Sequence, residues 1–473
     1  MHNPTSTTRG QWLALTAALL GWMFDGFEMG LFPVVARRAI RDLLGNVGED
    51  EVGKWMGLAT ACFLVGAASG GVLFGWLGDR LGRVRAMTLS VVMYSLFTGL
   101  CAFAQSPAQV AALRFISALG MGGEWALGVA LVMEIWPDKS RAFLAGLIGA
   151  AANVGFLLVF AMGGLLAGMH WRWQIGMGAV PALLAFFIRI FVPESQRWQE
   201  ESRQGRASHW NPRDLGGVGV GVVGVLCLIF LWATEMELWL RIVGSVLVLT
   251  VSTLGFLFPV FRYLQRMRDS GFLGVGLSKP IGRMLLGAGL SGIPLMVTWA
   301  STQWGPLWAE QLAGSAVPRA NAYTGMVGSV GAVIGTLIGA YLGNALGRRI
   351  TYFLLCIAAL GSSWLFFKGN EIFDGMFLAS FLLVGVTTAA FYGWLPLYLP
   401  ELFASGMRAT GQGFSYNFGR ILAAVGALQT GYLMQDVFDS SYPLACSTMS
   451  LVYIAGMALI WLAPETKGQP LPE

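Results

Sequence analysis

An all-α membrane protein made of two related six-helix bundles, with an extra helix pair inserted between them, is the architecture this sequence predicts. Composition, run length and an internal duplication each lead there. Of its 473 residues, 56% are hydrophobic and 12% charged, and mean hydropathy is +0.65, too apolar for a soluble domain. Apolar runs of about 20 residues, the length that spans a bilayer at ~1.5 Å rise per residue, recur fourteen times between about 12–36 and 442–463. Gly78-Asp79-Arg80-Leu81-Gly82-Arg83 returns as Gly343-Asn344-Ala345-Leu346-Gly347-Arg348, and Glu134 with Arg141 returns as Glu401 with Arg408. These copies end spans two and four, then spans ten and twelve, so spans seven and eight lie outside the duplication. The expected units are 1–193 (first bundle), 194–280 (cytoplasmic linker with two extra transmembrane helices) and 281–473 (second bundle), related by pseudo-two-fold symmetry.

The 64 glycines suit helices that approach closely in lipid, where no hydrophobic effect drives them together. A net charge of +5 and a pI near 9.0 read as membrane orientation and not as nucleic-acid binding. With the N-terminus inside, most Lys and Arg fall in cytoplasmic loops, Arg80, Arg83, Arg85, Arg203, Arg262, Arg348 and Arg408 among them. Both termini are therefore expected in the cytoplasm. The first run contains Asp25 and Glu28 and is too long for a signal-peptide core, so it reads as a mature helix. The five cysteines lie in apolar runs without metal-like spacing. No Ser/His/Asp set, metal cluster or phosphate loop supports an enzyme, and His2, His170 and His209 fall in tails or loops. No cofactor is expected beyond a proton gradient.

Ionisable groups inside a bilayer cost at least about 2.5–3.5 kcal/mol by insertion scales, so each needs a partner or a task. Asp25 and Glu28 share a face of span one. Two carboxyls in a dry cleft repel one another and lose hydration, which suits a group that takes up and releases a proton; the alternative is that they neutralise an arginine. Arg114 and Glu124 on span four are about 15 Å apart and need partners elsewhere, Asp25 and Glu28 among the candidates. The proton-coupling set is thus Asp25, Glu28 and Glu124. On span thirteen, Arg420 offers a planar fork to a carboxylate, either of an anionic substrate or of the first half. Arg114, Asn153, Gln412, Tyr416 and Asn417 complete the candidate substrate contacts, while Trp22, Trp125, Trp299, Tyr392 and Trp394 read as lipid-belt or core aromatics.

At the cytoplasmic loops, Asp79 is placed to accept hydrogen bonds from the N-terminal amides of a helix in the other half, with Arg83, Glu134 and Arg141 forming an ion-pair cluster around it. Glu401 and Arg408 are the second-half counterparts. Contacts of this kind set the balance between two conformations, and Asn344 in place of Asp79 predicts a weaker latch on the second side.

Gly75-x-x-Gly78-Asp79-Arg80-x-Gly82-Arg83 and Arg114-x5-Gly120-x-Gly122-Gly123-Glu124 resemble the signature loop and fourth-helix motif of the major facilitator superfamily. Gly21-Trp22-Met23-Phe24-Asp25-Gly26-Phe27-Glu28, Glu134-Ile135-Trp136-Pro137 and the run from Arg408 to Asn417 are similar to the sialate:proton symporters. Glu28 stands where that family commonly has Asp, and Arg420 is more like the aromatic-acid:proton symporters. Pro193-Glu194-Ser195 and Pro464-Glu465-Thr466 resemble strings of the sugar porters. The resemblance implies the major facilitator fold and proton-driven uptake, by alternating access, of a sialic acid or other monocarboxylate through a bacterial inner membrane. The expected partners are a small anionic substrate, protons and lipid, with no nucleic acid, and a monomer is the expected state. A proton-coupled sugar or polyol porter and a non-transporting membrane receptor are the rival readings.

Overall fold

The computed structural model describes residues 9–45, 49–234, 236–271, 278–432, 437–438 and 441–472; His2 lies outside them. Among the described residues all regular structure is helical. The first half contains α1 (Arg9–Leu44), α2 (Glu49–Leu81), α3 (Arg83–Leu100), α4 (Pro107–Ile135), α5 (Arg141–Ala167), α6 (Trp171–Gly176) and α7 (Ala182–Phe191). A short helix α8 (Gln196–Arg203) leads to α9 (Leu215–Ala233) and α10 (Leu238–Asp269). The second half contains α11 (Ser278–Ala300), α12 (Gly305–Ala313), α13 (Ala320–Leu346), α14 (Arg348–Gly369), α15 (Gly375–Ala389), α16 (Phe391–Tyr398), α17 (Arg408–Tyr432), α18 (Tyr442–Ser450) and α19 (Val452–Leu459).

Helix ends follow local chemistry. Ser106 Oγ accepts from Gln109 N at 3.3 Å and Pro107 opens α4, while Asp374 caps α15 through Phe377 N at 2.9 Å. Both copies of the repeated motif turn on a glycine with positive φ, Gly82 at 107° and Gly347 at 96°. These are backbone conformations that a side chain would strain, which explains why the second glycine of the motif recurs.

Among the described residues, ten spans are long and apolar enough to cross a membrane, or eleven if α1, bent by 48° between Phe32 and Val34, is one span. The chain is a multi-pass membrane protein. This number is smaller than the fourteen apolar runs of the sequence. Two of the remaining runs differ for visible reasons: α17 carries Gln412, Ser415, Asn417 and Arg420, and the sixth run is broken between α6 and α7.

Within the first half α2 and α3 pack on α4, and α1 packs on α5. Within the second half α13 packs on α15 and α16, and α11 packs on α17. The seam between halves is made twice, by α2 with α17 and by α5 with α13. Helices α9 and α10 pack on each other and reach the rest mainly through α2.

Close approach at the centre depends on missing side chains. A Cβ at Gly26 would lie 1.9 Å from Ala152 O, and one at Gly413 would lie 2.3 Å from Gly71 O across the seam. Gly26→Ala is therefore expected to force α1 from α5 and cost about 1–3 kcal/mol of stability. A lowered Tm of the purified protein checks this, with Gly57→Ala as a neutral control, since nothing lies within 4 Å of a Cβ there.

Candidate functional site

Five ionisable side chains meet where α1, α4 and α17 converge. Asp25, Glu28, Arg114, Glu124 and Arg420 are all at most 4% exposed. Glu28 and Arg114 form one unit: Arg114 Nη1 donates to Glu28 Oε1 at 2.6 Å, and the guanidinium lies over the rings of Phe32 and Phe63, 3.7 and 4.5 Å from their centroids. This pair is buried and internally neutral.

The carboxyls of Asp25 and Glu124 are neighbours, with Arg420 the nearby cation. Their four oxygens have no hydrogen-bond partner among the described residues. Two neighbouring carboxyls bond to each other only when one carries a proton. The fit is enforced by Gly21, where a Cβ would lie 1.7 Å from Glu124 Oε1.

Arg420 lies 5.5 Å from the centroid of Tyr416, whose hydroxyl is in hydrogen-bond reach, and its Nη1 is buried without a partner among the described residues. Tyr416 stacks on Trp125 at 3.8 Å and 18°, and Trp22 lies 6.3 Å from Tyr416. Arg420, Tyr416 and Trp22 form the inner end of a cavity of about 140 Å³. Its walls are largely aromatic, with Phe156, Phe160, Trp299, Phe381 and Tyr392, and it runs toward Thr302 and Gln303 beyond the end of α11.

Of the candidate substrate contacts, Arg420, Tyr416 and Asn153 line this cavity, and Asn153 Nδ2 donates to Gly149 O at 3.1 Å. The others do not reach it. Arg114 is held by Glu28; Gln412 Nε2 donates to Ala126 O at 2.6 Å and Asn417 Nδ2 to Gly122 O at 2.8 Å, so both amides join α17 to α4 across the seam. Of the aromatics read as belt or core residues, Trp22, Trp299 and Tyr392 belong to or pack on the core and also line the cavity, whereas Trp394 is fully buried and donates to Arg348 O at 3.1 Å. Trp22 could have been found from its position three residues before Asp25, on the same face of α1. Thr302 and Gln303 carried no such signal.

At the opposite end from Thr302, a second polar cluster ties the halves together. Asp79 Oδ2 accepts from Thr410 N at 2.8 Å and Thr410 Oγ1 at 2.6 Å, and Oδ1 accepts from Arg83 Nη1 at 2.7 Å and Ala409 N at 3.3 Å. Ala409 and Thr410 begin α17, so the carboxylate sits on that helix's N-terminus. Arg83 Nη2 reaches Glu134 Oε1 at 3.1 Å and Ser405 O at 2.8 Å, and Arg408 Nη1 reaches the same Glu134 oxygen at 2.8 Å. Glu134 also accepts from Ser195 Oγ.

The repeated pair Glu401 and Arg408 does not close on itself. Glu401 binds Arg348 through Nη2 at 2.6 Å and Nε at 3.0 Å, while Arg408 crosses to Glu134. Arg348, the counterpart of Arg83, was not among the sequence candidates. Arg141 is buried at the start of α5, and Asn344 is exposed.

Each half adds a carboxylate that receives the first amides of the next helix. Glu194 accepts from Arg83 N at 2.8 Å and Val84 N at 3.1 Å, and Glu465 accepts from Arg348 N at 3.0 Å and Arg349 N at 3.1 Å. For Glu194 burial outweighs the amides and holds its carboxyl above the usual range. For Glu465 burial is outweighed by the amides and the carboxyl sits below it.

Asp79→Asn should loosen this latch, because an amide offers one acceptor where four hydrogen bonds now converge on two carboxylate oxygens. In a background lacking the five native cysteines, Ala126→Cys, buried beneath Gln412, should then be labelled several-fold faster by a maleimide. Unchanged labelling would deny Asp79 the latching role.

Comparison with known proteins places this geometry among membrane carriers. A family model described as sugar (and other) transporter matches residues 13–209 and 307–473. A probable 4-methylmuconolactone transporter of Cupriavidus pinatubonensis is 28% identical over 96% of this chain and 90% of its own length. The sialic acid transporter NanX of Escherichia coli is 30% identical over 41% of this chain and 47% of its own. Among solved structures, the major facilitator superfamily proton:xylose symporter XylE shares the fold with a TM-score of 0.70 at 17% identity, covering 98% of both chains.

Proposed function

From the premise that this chain belongs to the sugar (and other) transporter family of the major facilitator superfamily, whose members are carriers and not enzymes, we propose that it imports a small ring-bearing monocarboxylate together with a proton. The observation that carries this reading is the Asp25–Glu124 carboxyl pair set beside Arg420, whose Nη1 is unpartnered at the cavity.

Charge balance supplies the coupling. A buried centre tolerates little net charge. Glu28 and Arg114 cancel, leaving two carboxyls against Arg420, and one proton on the Asp25–Glu124 pair makes this remainder neutral. A substrate anion bound at Arg420 restores a negative charge, which a second proton on the pair removes. Anion and proton thus bind together, one for one, and cross without net charge. A neutral sugar would leave Arg420 unanswered and bring no proton with it. A cavity of about 140 Å³ is close to the volume that holds one benzene ring, so a single-ring acid suits it better than a nine-carbon sialic acid. The name of the muconolactone relative agrees with that size, and the similarity to NanX keeps sialic acid as a competitor to be tested.

On this reading the latch of Asp79, Arg83, Glu134 and Arg408 lies at the cytoplasmic face, where the basic loops gather, and the cavity leads to the outer face. The conformation is outward-facing. The reading also takes fourteen crossings in the order six, two, six, units of 1–193, 194–280 and 281–473, both termini in the cytoplasm of a bacterial cell, and a monomer, since one chain encloses the whole cavity.

In proteoliposomes an inward proton gradient should drive accumulation of labelled benzoate or a related acid. Asp25→Asn combined with Glu124→Gln should abolish gradient-driven accumulation while counterflow exchange persists, whereas either change alone leaves one carboxyl to take the coupled proton; accumulation that ignores the gradient, or survives the double change, ends the coupling proposal. Arg420→Lys keeps the charge and loses the planar fork, so it should weaken acid affinity about ten-fold or more without lowering Tm. Unchanged affinity would remove Arg420 from the site.

A further inference from the structure

Two residues at the inner end of the cavity each carry a buried nitrogen donor that has no acceptor among the described residues. One is Arg420 Nη1 and the other is the indole Nε1 of Trp22, a residue 4% exposed. An indole nitrogen donates and never accepts, and a buried donor left unmet costs about 1–3 kcal/mol. The nearest acids do not meet it: Asp25, one turn along on the same face, lies beside Glu124, and no bond joins it to Trp22. Both donors lie beside one ring, Trp22 at 6.3 Å and the Arg420 guanidinium carbon at 5.5 Å from the centroid of Tyr416. Of the hydroxyls farther along the wall, Ser329 donates to Gly325 O at 2.7 Å and Thr388 to Val384 O at 2.7 Å, while that of Thr302, toward the other end, has no partner among the described residues.

We propose that Trp22 is a substrate-binding residue: its indole N–H and Arg420 together hold the two oxygens of the substrate carboxylate, while the ring of the substrate rests against the aromatic wall. This rests on the anion-import reading above and makes it more specific. Two donors at the inner end select a carboxylate, both of whose oxygens accept, over the matching carboxamide, which has one accepting oxygen and turns an N–H toward the second donor. The same arrangement joins substrate to proton. Trp22, Asp25 and Glu124 are neighbours, so an acid held by Trp22 and Arg420 sits against the carboxyl pair that must take up the compensating charge.

The test measures affinities of the full-length protein for benzoate and for benzamide by calorimetry in detergent. Wild type should prefer benzoate. Trp22→Phe keeps the ring and deletes the N–H, and should weaken benzoate about ten-fold or more while leaving benzamide nearly unchanged. Trp22→His returns a ring N–H and should recover part of the preference; an unchanged Tm shows that each variant is folded. If Trp22→Phe binds benzoate as wild type does while Arg420→Lys binds it weakly, the indole meets only water and the Trp22 proposal fails alone. If wild type binds benzamide as well as benzoate, or binds neither, the anion-import reading fails and takes this one with it.

Discussion

Neutrality of a buried charge cluster is the constraint on which the rest of this molecule depends. Five ionisable side chains lie where α1, α4 and α17 meet, none more than 4% exposed, and in such surroundings an uncompensated charge costs several kcal/mol. The protein meets that constraint in two ways. Glu28 and Arg114 are fixed to each other and shielded by Phe32 and Phe63, a closed arrangement that has no need of a ligand. Asp25, Glu124 and Arg420 have an odd number of charges and balance only with a proton, which makes them responsive to what arrives. On the proposed reading, a structural pair beside a titratable set lets one small volume serve both folding and coupling.

The seam around this cluster is made of backbone more than side chains. Gly21 admits the Glu124 carboxyl against α1, Gly26 brings α1 onto α5, and Gly413 brings α17 onto α2. Small residues at these crossings place the acids of α1 and α4 close enough to share a proton, and they leave smooth contacts that slide at low cost. Gln412 and Asn417 then fix the register by donating to carbonyls of α4. Both bonds cross between the halves and neither amide reaches the cavity, so on the proposed cycle they belong to the conformation and not to the ligand.

How much of this was legible in the sequence follows from how rare each signal is. A charge inside an apolar run is rare, so Asp25, Glu28, Arg114, Glu124 and Arg420 stood out, and the structure gathers all five in one place. The duplicated loop was equally plain, and its glycines stand at positive φ where the chain turns. Aromatic residues are common in such chains, and nothing in composition separates Trp22 and Tyr392, which line the cavity, from Trp394, which does not. Amides on α17 were ambiguous for a similar reason: 412, 416 and 420 share one helical face, and only the depth at which the cavity ends divides Gln412 from Tyr416. Repeats also mislead about pairing. Glu401 and Arg408 copy Glu134 and Arg141, yet Arg408 binds Glu134, because a pseudo-symmetric interface pairs each half with the other.

The latch obeys a different electrostatic rule from the centre. Asp79, Glu134, Arg83 and Arg408 balance while the halves touch, and parting them would leave two carboxylates with Arg83 on one side and Arg408 on the other. Arg408 keeps acceptors of its own half, Pro472 O at 2.6 Å and Phe403 O at 3.3 Å, and Arg83 keeps Asp79 and Gly78 O at 2.7 Å. Water entering at that end compensates the remainder, since charges separated in high dielectric cost little. On the proposed carrier cycle the centre has no such recourse when both ends are shut, and must be neutral before the halves can rock. In that cycle the latch governs which conformation is favoured, whereas the central proton count governs whether the passage between conformations is open at all. A substrate anion without its proton would then stall at the centre however weak the latch became.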